Sequence, residues 1–146
     1  MINYNKEDLA DHHGIAAIIK NQSGDILMQD HVKYGFWTIP VGKVTGGQSV
    51  VDGLKQEILE ECNLQILDCK EIAVKDYFYE RNGNNVKVIS HMFDVSKYEG
   101  ELKNMEPAKH RQQLFMSIEQ IMQLPYLSDL TLAYLSYLGI NRQSHI

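Results

Sequence analysis

At 146 residues the chain is long enough to bury a real core, and residues 1–146 are expected to form one domain. Its 44% hydrophobic and 23% charged residues are the balance of a soluble globular protein. A net charge of −5 without a dense Lys/Arg cluster argues against a nucleic-acid polymer as partner, because that affinity comes largely from cationic contacts to phosphates.

The N-terminal stretch MINYNKEDLADHH is polar and has no apolar signal core. No run approaches the roughly 18 apolar residues of a membrane span, so no membrane partner is expected. Cys62 and Cys69 form neither a CxxC pair nor a zinc spacing, which fits a reduced, cytoplasmic protein. GIAAIIK (14–20) reads as a buried strand, NQSGD (21–25) as a turn and ILMQD (26–30) as the returning strand. KYGFWTIPVG is a short aromatic strand broken by Pro40 and Gly42. After the glycine-bearing loop KVTGGQ, Ser49 is the expected N-cap of a helix from about Val50 to Cys62.

Two β-rich runs follow, joined by RNGNN, a hairpin signal. A polar loop, SKYEGELKNMEPAKH, leads to a further strand in RQQLFMS. IEQIMQLP and YLSDLTLAYLSYL close the chain as helical segments. Strands and helices are mixed, and several strands meet through tight turns. The expected class is therefore α/β (α+β), a mixed sheet covered by helices.

The helix over 50–62 carries the first chemical signal. At 100° per residue, Glu57, Glu60 and Glu61 share an arc about 100° wide. They border the stripe of Val51, Leu54, Ile58 and Cys62 expected to face the core. Glu57 repels Glu60 and Glu61 at i,i+3 and i,i+4, and no Lys or Arg stands at either spacing. A solvated acidic face is the ordinary reading of such a run. Uncompensated acids beside a core favour the alternative, a site for a hard cation such as Mg²⁺. His12, His13, His31, His91, His110 and His145 share no ligand spacing and are expected to be structural or exposed.

Residues 42–64 resemble the Nudix box: a glycine, five residues, Glu, seven residues, then Arg-Glu-aliphatic-x-Glu-Glu-x-Gly-aliphatic. Gly42, Glu57, Ile58, Glu60, Glu61 and Leu64 match it in spacing. Gln48, Gln56 and Asn63 replace the first Glu, the Arg and the late Gly, and Val41 stands where many members have a second glycine. NMEPAKHRQQLFMSIEQI (104–121) is similar to the Glu-Pro-x-Lys loop of MutT-type nucleotide pyrophosphohydrolases. The resemblance implies the Nudix fold, with Mg²⁺ or Mn²⁺ as cofactor. Metal ligands would be Glu60, Glu61, the Val41 carbonyl and Glu106, with Glu99 and Glu101 as rivals to Glu106. Glu57 would bind a further metal or act as general base.

The implied reaction is water attack on the diphosphate of a nucleoside diphosphate linked to a group X. The small-molecule partner is then a nucleotide, and the protein a monomer or homodimer. Chain length and the NMEPAK loop favour a nucleoside triphosphate. A GDP-mannose-like nucleotide sugar, ADP-ribose and a non-catalytic nucleotide-sensing domain are the alternatives. Lys43 would contact a phosphate oxygen or face solvent. Phe36 and Tyr79, among Tyr34, Trp37, Tyr77 and Phe78, are candidates for base stacking. Ser128 and Asp129 precede the last helix, where related enzymes carry base-reading groups.

Overall fold

In the computed structural model, which describes residues 3–142, β1 (His12–Ile19) is buried from Gly14 to its end. Both faces of this strand are covered, which is why its apolar run does not alternate. Ile15, Ala17 and Ile19 pack with Leu54, Ile58 and Cys62 of α1 (Val50–Cys62). On the opposite face Ala16 and Ile18 pack with Ile121 of α2 (Ile118–Met122) and with Tyr134 and Leu135 of α3 (Asp129–Tyr137). Helices thus lie on both sides of the strands, as expected. His145 lies outside the described residues.

The strands form two sheets rather than one. β1 pairs in parallel with β6 (Asn84–Glu99), and β4 (Val41–Lys43) and β5 (Gln65–Arg81) flank them in the order β4-β1-β6-β5. A second sheet has the order β3-β2-β7, from β2 (Ile26–His31), β3 (Phe36–Thr38) and β7 (His110–Met116). The β5–β6 hairpin turns at Asn82 (φ 50°) and Gly83 (φ 82°), the two positive φ values that a type I′ turn needs. In the β2–β7 ladder the register slips between Gln29 and His31, which sets His31 opposite His110.

α1 begins where expected, with the Ser49 hydroxyl accepting from Asp52 N at 3.1 Å. It ends on Asn63, left-handed at φ 62°, whose N–H donates to the Leu59 carbonyl. Asparagine tolerates this conformation, so the turn survives without glycine. One expected core residue is out of place: Val51 is exposed, because the first turn of α1 meets its neighbour through Gly53 against Val44. Among the described residues no helix is long and apolar enough to cross a membrane.

Leu54 is fully buried between α1 and β1. Leu54→Ala is expected to destabilise the fold by about 2–5 kcal/mol in urea unfolding, the cost of an unfilled core cavity.

Candidate active site

The three helix glutamates occupy different environments. Glu60 is exposed, Glu57 half-buried, and Glu61 has no exposed surface. Burial, a hydrogen bond with Glu61 and repulsion from Glu61 and Glu60 push the Glu57 pKa up to about 8, against the pull of Lys109. Gly42 on β4 lies directly under Glu57. A Cβ there would stand 2.6 Å from Glu57 Cγ, so only glycine lets strand and carboxylate approach so closely.

Glu61 is held by side chains from three directions. Gln29 Nε2 donates to Oε1 at 3.2 Å, and Lys109 Nζ binds Oε2 at 3.1 Å. Gln113 Nε2 and Met105 N donate to its main-chain carbonyl at 2.8 and 3.1 Å. His110 Nε2 lies 3.7 Å from Oε1, and burial, outweighing Glu61, lowers the His110 pKa. The hydrogen bond from Met105, with another from Lys103 N to the Cys62 carbonyl at 3.0 Å, ties the loop carrying Glu106 to the end of α1. Lys109 N and His110 N both donate to the Glu106 carbonyl at 3.0 Å.

Glu60 is fixed differently. Gln56 Nε2 donates to Glu60 Oε1 at 2.8 Å, Gln48 donates to Gln56, and Thr45 Oγ1 donates to Gln48 at 2.7 Å. A neutral amide chain thus orients Glu60 from the positions where the box resemblance would set Arg and Glu.

Among the described residues no three His, Cys, Asp or Glu side chains converge as ligands on one point. The donor types nevertheless suit a divalent cation. Glu57, Glu60, Glu61 and Glu106 offer hard oxygens. The repulsion that raises Glu57 is the kind a cation relieves. Glu61 would first have to release Lys109.

An open cleft of about 570 Å³ runs from Gly42 and Glu57 to the N-terminal segment. Val41, Lys43, Phe36, Tyr79 and Ser128, all singled out from sequence, line it. The Tyr34 and Phe36 rings stack at 5.3 Å. Tyr79 OH donates to Asp129 Oδ2 at 3.4 Å. Lys43 is paired with Asp8 at 2.9 Å and Glu7 at 3.4 Å, so it is not a free solvent-facing lysine. The Ser128 hydroxyl caps α3, accepting from Thr131 N and bonding Thr38 Oγ1 at 2.7 Å, which leaves Asp129 as the open polar group beside it. Trp37, Tyr77 and Phe78 are not among the lining residues.

A model of the NUDIX domain matches residues 10–134. The chain belongs to the NUDIX family. It is a Nudix pyrophosphohydrolase by family, and such enzymes generally use divalent metals. Its fold is similar to a MutT NUDIX hydrolase from Burkholderia pseudomallei, with a TM-score of 0.72 and 24% identity over 86% of this chain and 96% of that one. It is also similar to the NUDIX domain of Shewanella oneidensis NrtR, solved with ADP ribose (TM-score 0.67, 12% identity, 94% of each chain). A third likeness is a C. elegans Ap4A hydrolase (TM-score 0.57, 17% identity, 77% of this chain and 85% of that one). At these identities the likeness is one of fold. No curated protein matches the chain.

Sequence reasoning missed Gln29, Gln113 and Lys109 around Glu61, and Tyr4, Lys33 and Arg81 in the cleft. The only prior signal was Lys109, the lysine of the NMEPAK loop. Four of the histidines meet in pairs that their spacing did not signal: His13 Nδ1 and His91 Nε2 are 2.9 Å apart, and the rings of His31 and His110, both buried, lie at 5.5 Å.

Gly42→Ala is expected to lower kcat/KM by about 100-fold, because the added Cβ displaces Glu57 by the order of an ångström. Thermal unfolding should change little, since the displaced group is a movable side chain.

A pH test concerns His31, which burial first, and then repulsion of its charged form by His110, Lys109 and Lys33, pushes down to about 4. The unfolded chain takes up this proton near its ordinary value of 6.5. Stability is therefore lost as pH falls from about 6.5 to 4. His31→Gln should flatten the dependence of Tm on pH in that window relative to the wild type.

Proposed function

We propose that this Nudix protein hydrolyses a nucleoside triphosphate to monophosphate and pyrophosphate with the help of Mg²⁺. One observation carries the reading: Glu57, four cations (Lys33, Lys43, Arg81 and Lys109) and aromatic walls open on a single cleft of nucleotide size. Asp8, Glu57, Glu80 and Asp129 line the same cleft, so its charge is balanced, and an anionic, base-bearing ligand suits it once a divalent cation offsets the acids.

Each group has a role in this reading. Lys43 and Lys109, both in the cleft lining, would bind phosphate oxygens on leaving their carboxylate partners. The stacked Tyr34–Phe36 wall takes the base, and the Asp129 carboxylate accepts from its exocyclic N–H. Glu60, Glu61, the Val41 carbonyl and Glu106 would hold the divalent cation, which neutralises the diphosphate and acidifies the attacking water. Glu57, which Gly42 lets lie close against β4, would take the proton of that water as general base once a cation relieves the repulsion that raises its pKa. Tyr79, bonded to Asp129, stands at the same base-binding part of the cleft.

ADP-ribose is the second reading, favoured by the fold likeness to the NrtR NUDIX domain with that ligand. The amides Gln48 and Gln56, standing in place of charged box residues, favour ligand binding without turnover as its variant.

Phosphate and pyrophosphate release from nucleoside triphosphates, ADP-ribose, GDP-mannose and diadenosine tetraphosphate, with Mg²⁺, Mn²⁺ or EDTA, tests the proposal. Turnover of a triphosphate that EDTA abolishes is expected, falling at least about 100-fold in Glu57→Gln and Glu61→Gln. Tight nucleotide binding without turnover of any compound would sink the hydrolytic reading.

A further inference from the structure

Glu61 is a carboxylate without exposed surface, and such a group persists as an anion only when donors surround it. Its neutral partners come from behind. Gln29 holds Oε1, and Gln113, itself bonded to Asn104 Oδ1 at 3.2 Å, holds the main-chain carbonyl. His110 Nε2 lies 3.7 Å from Oε1, beyond hydrogen-bond reach. Among the described residues, the ammonium bonded to Glu61 comes from the cleft side, Lys109 Nζ on Oε2.

Lys109 is built to move without its backbone. Its carbonyl accepts from Val32 N at 2.9 Å and its N–H donates to the Glu106 carbonyl, so the main chain is pinned at both ends. The four-carbon stem leaves the ammonium partly exposed, and it lines the cleft beside Glu57 and Gly42. Its ammonium sits on Glu61, it lines the cleft together with Glu57, and its main-chain N–H is bonded to Glu106. Those three acids are the ones proposed above as metal ligands or base. The ammonium therefore occupies an oxygen that a divalent cation would share.

We infer that Lys109 is a tethered counter-cation that competes with the divalent metal for Glu61, and that the substrate's phosphates receive it when the metal displaces it. The inference rests on Glu61 as a metal ligand, as in the reading above. Two consequences follow from linkage. The free protein binds metal weakly, since each binding event must break the Lys109–Glu61 pair. Phosphates in the cleft strengthen metal binding by taking over the released ammonium, and metal strengthens phosphate binding by the same factor.

The test is Mn²⁺ binding to the full chain without nucleotide, followed by electron spin resonance and calorimetry. The wild type, Lys109→Met, Lys109→Arg and Glu61→Gln are compared, with Lys109→Gln as a second neutral variant should the Met form fail to fold. Lys109→Met is expected to bind Mn²⁺ about tenfold more tightly than the wild type, with Lys109→Arg near the wild type. Its Tm should be lower without Mn²⁺ and rise more on adding it. Unchanged or weaker Mn²⁺ binding in a folded neutral variant would overturn the role of Lys109 alone. Mn²⁺ binding that Glu61→Gln leaves intact would overturn it as well, by removing Glu61 from the metal site. Absence of Mn²⁺ binding in both wild type and Lys109→Met would overturn the metal-dependent reading with it.

Discussion

A carboxylate sealed away from water is the demand that organises this molecule. Glu61 lies on the face of α1 that packs toward the strands, between Ile58 and Cys62 of the core. Leaving it unpaired would cost more than most single contacts in the fold supply. The structure answers at the carboxylate with an amide from β2 and an ammonium from the segment leading into β7, while an amide from β7 holds the main-chain carbonyl of the same residue. These contacts join the second sheet to the helix that covers the first. The loop bearing Glu106 is drawn to the end of α1 by the same region's backbone hydrogen bonds. Packing and chemistry are therefore one arrangement here: the bonds that satisfy the buried acid also assemble the candidate site.

The topology of the first sheet does the remaining positioning. β1 is sandwiched between helices, so its neighbours are fixed by burial on both faces. β4 returns antiparallel beside it, with Gly42 opposite Ile15. That register places the one residue without a Cβ under Glu57. β6, parallel to β1 on the other side, starts the cleft wall with Val88 and Ser90. The N-terminal segment completes the far wall: Tyr4 lies 4.4 Å from Lys33 Nζ and 5.0 Å from the Arg81 guanidinium.

Charge follows a similar logic. Taken along the chain, the bases form no dense block, and the balance is negative. In three dimensions Lys33, Lys43, Arg81 and Lys109 converge on one cleft from four separate stretches of sequence. The concentration is invisible to any window along the sequence, because no two of these residues are within nine positions of each other. The Thr45–Gln48–Gln56–Glu60 chain is the opposite case. Its members lie on one loop and one helix, close enough for spacing alone to bring them near.

What the sequence determined by itself was whatever closes within a turn or a strand period. Ser49 and Asn63 bound α1, Asn82-Gly83 bends the hairpin, and the unbroken apolar run of β1 announces burial on both faces. The spacing of Glu57, Glu60 and Glu61 on one helical arc was legible for the same reason, and so was the family to which that spacing belongs. The tertiary structure alone decided that Glu61 would be buried and Glu60 exposed, that Val51 would yield its place to Gly53, and that the strands would divide into two sheets. It also decided that Lys109, 48 positions away, would be Glu61's cation. Such outcomes depend on which distant surfaces exclude water together, and helix or strand periodicity does not encode that choice.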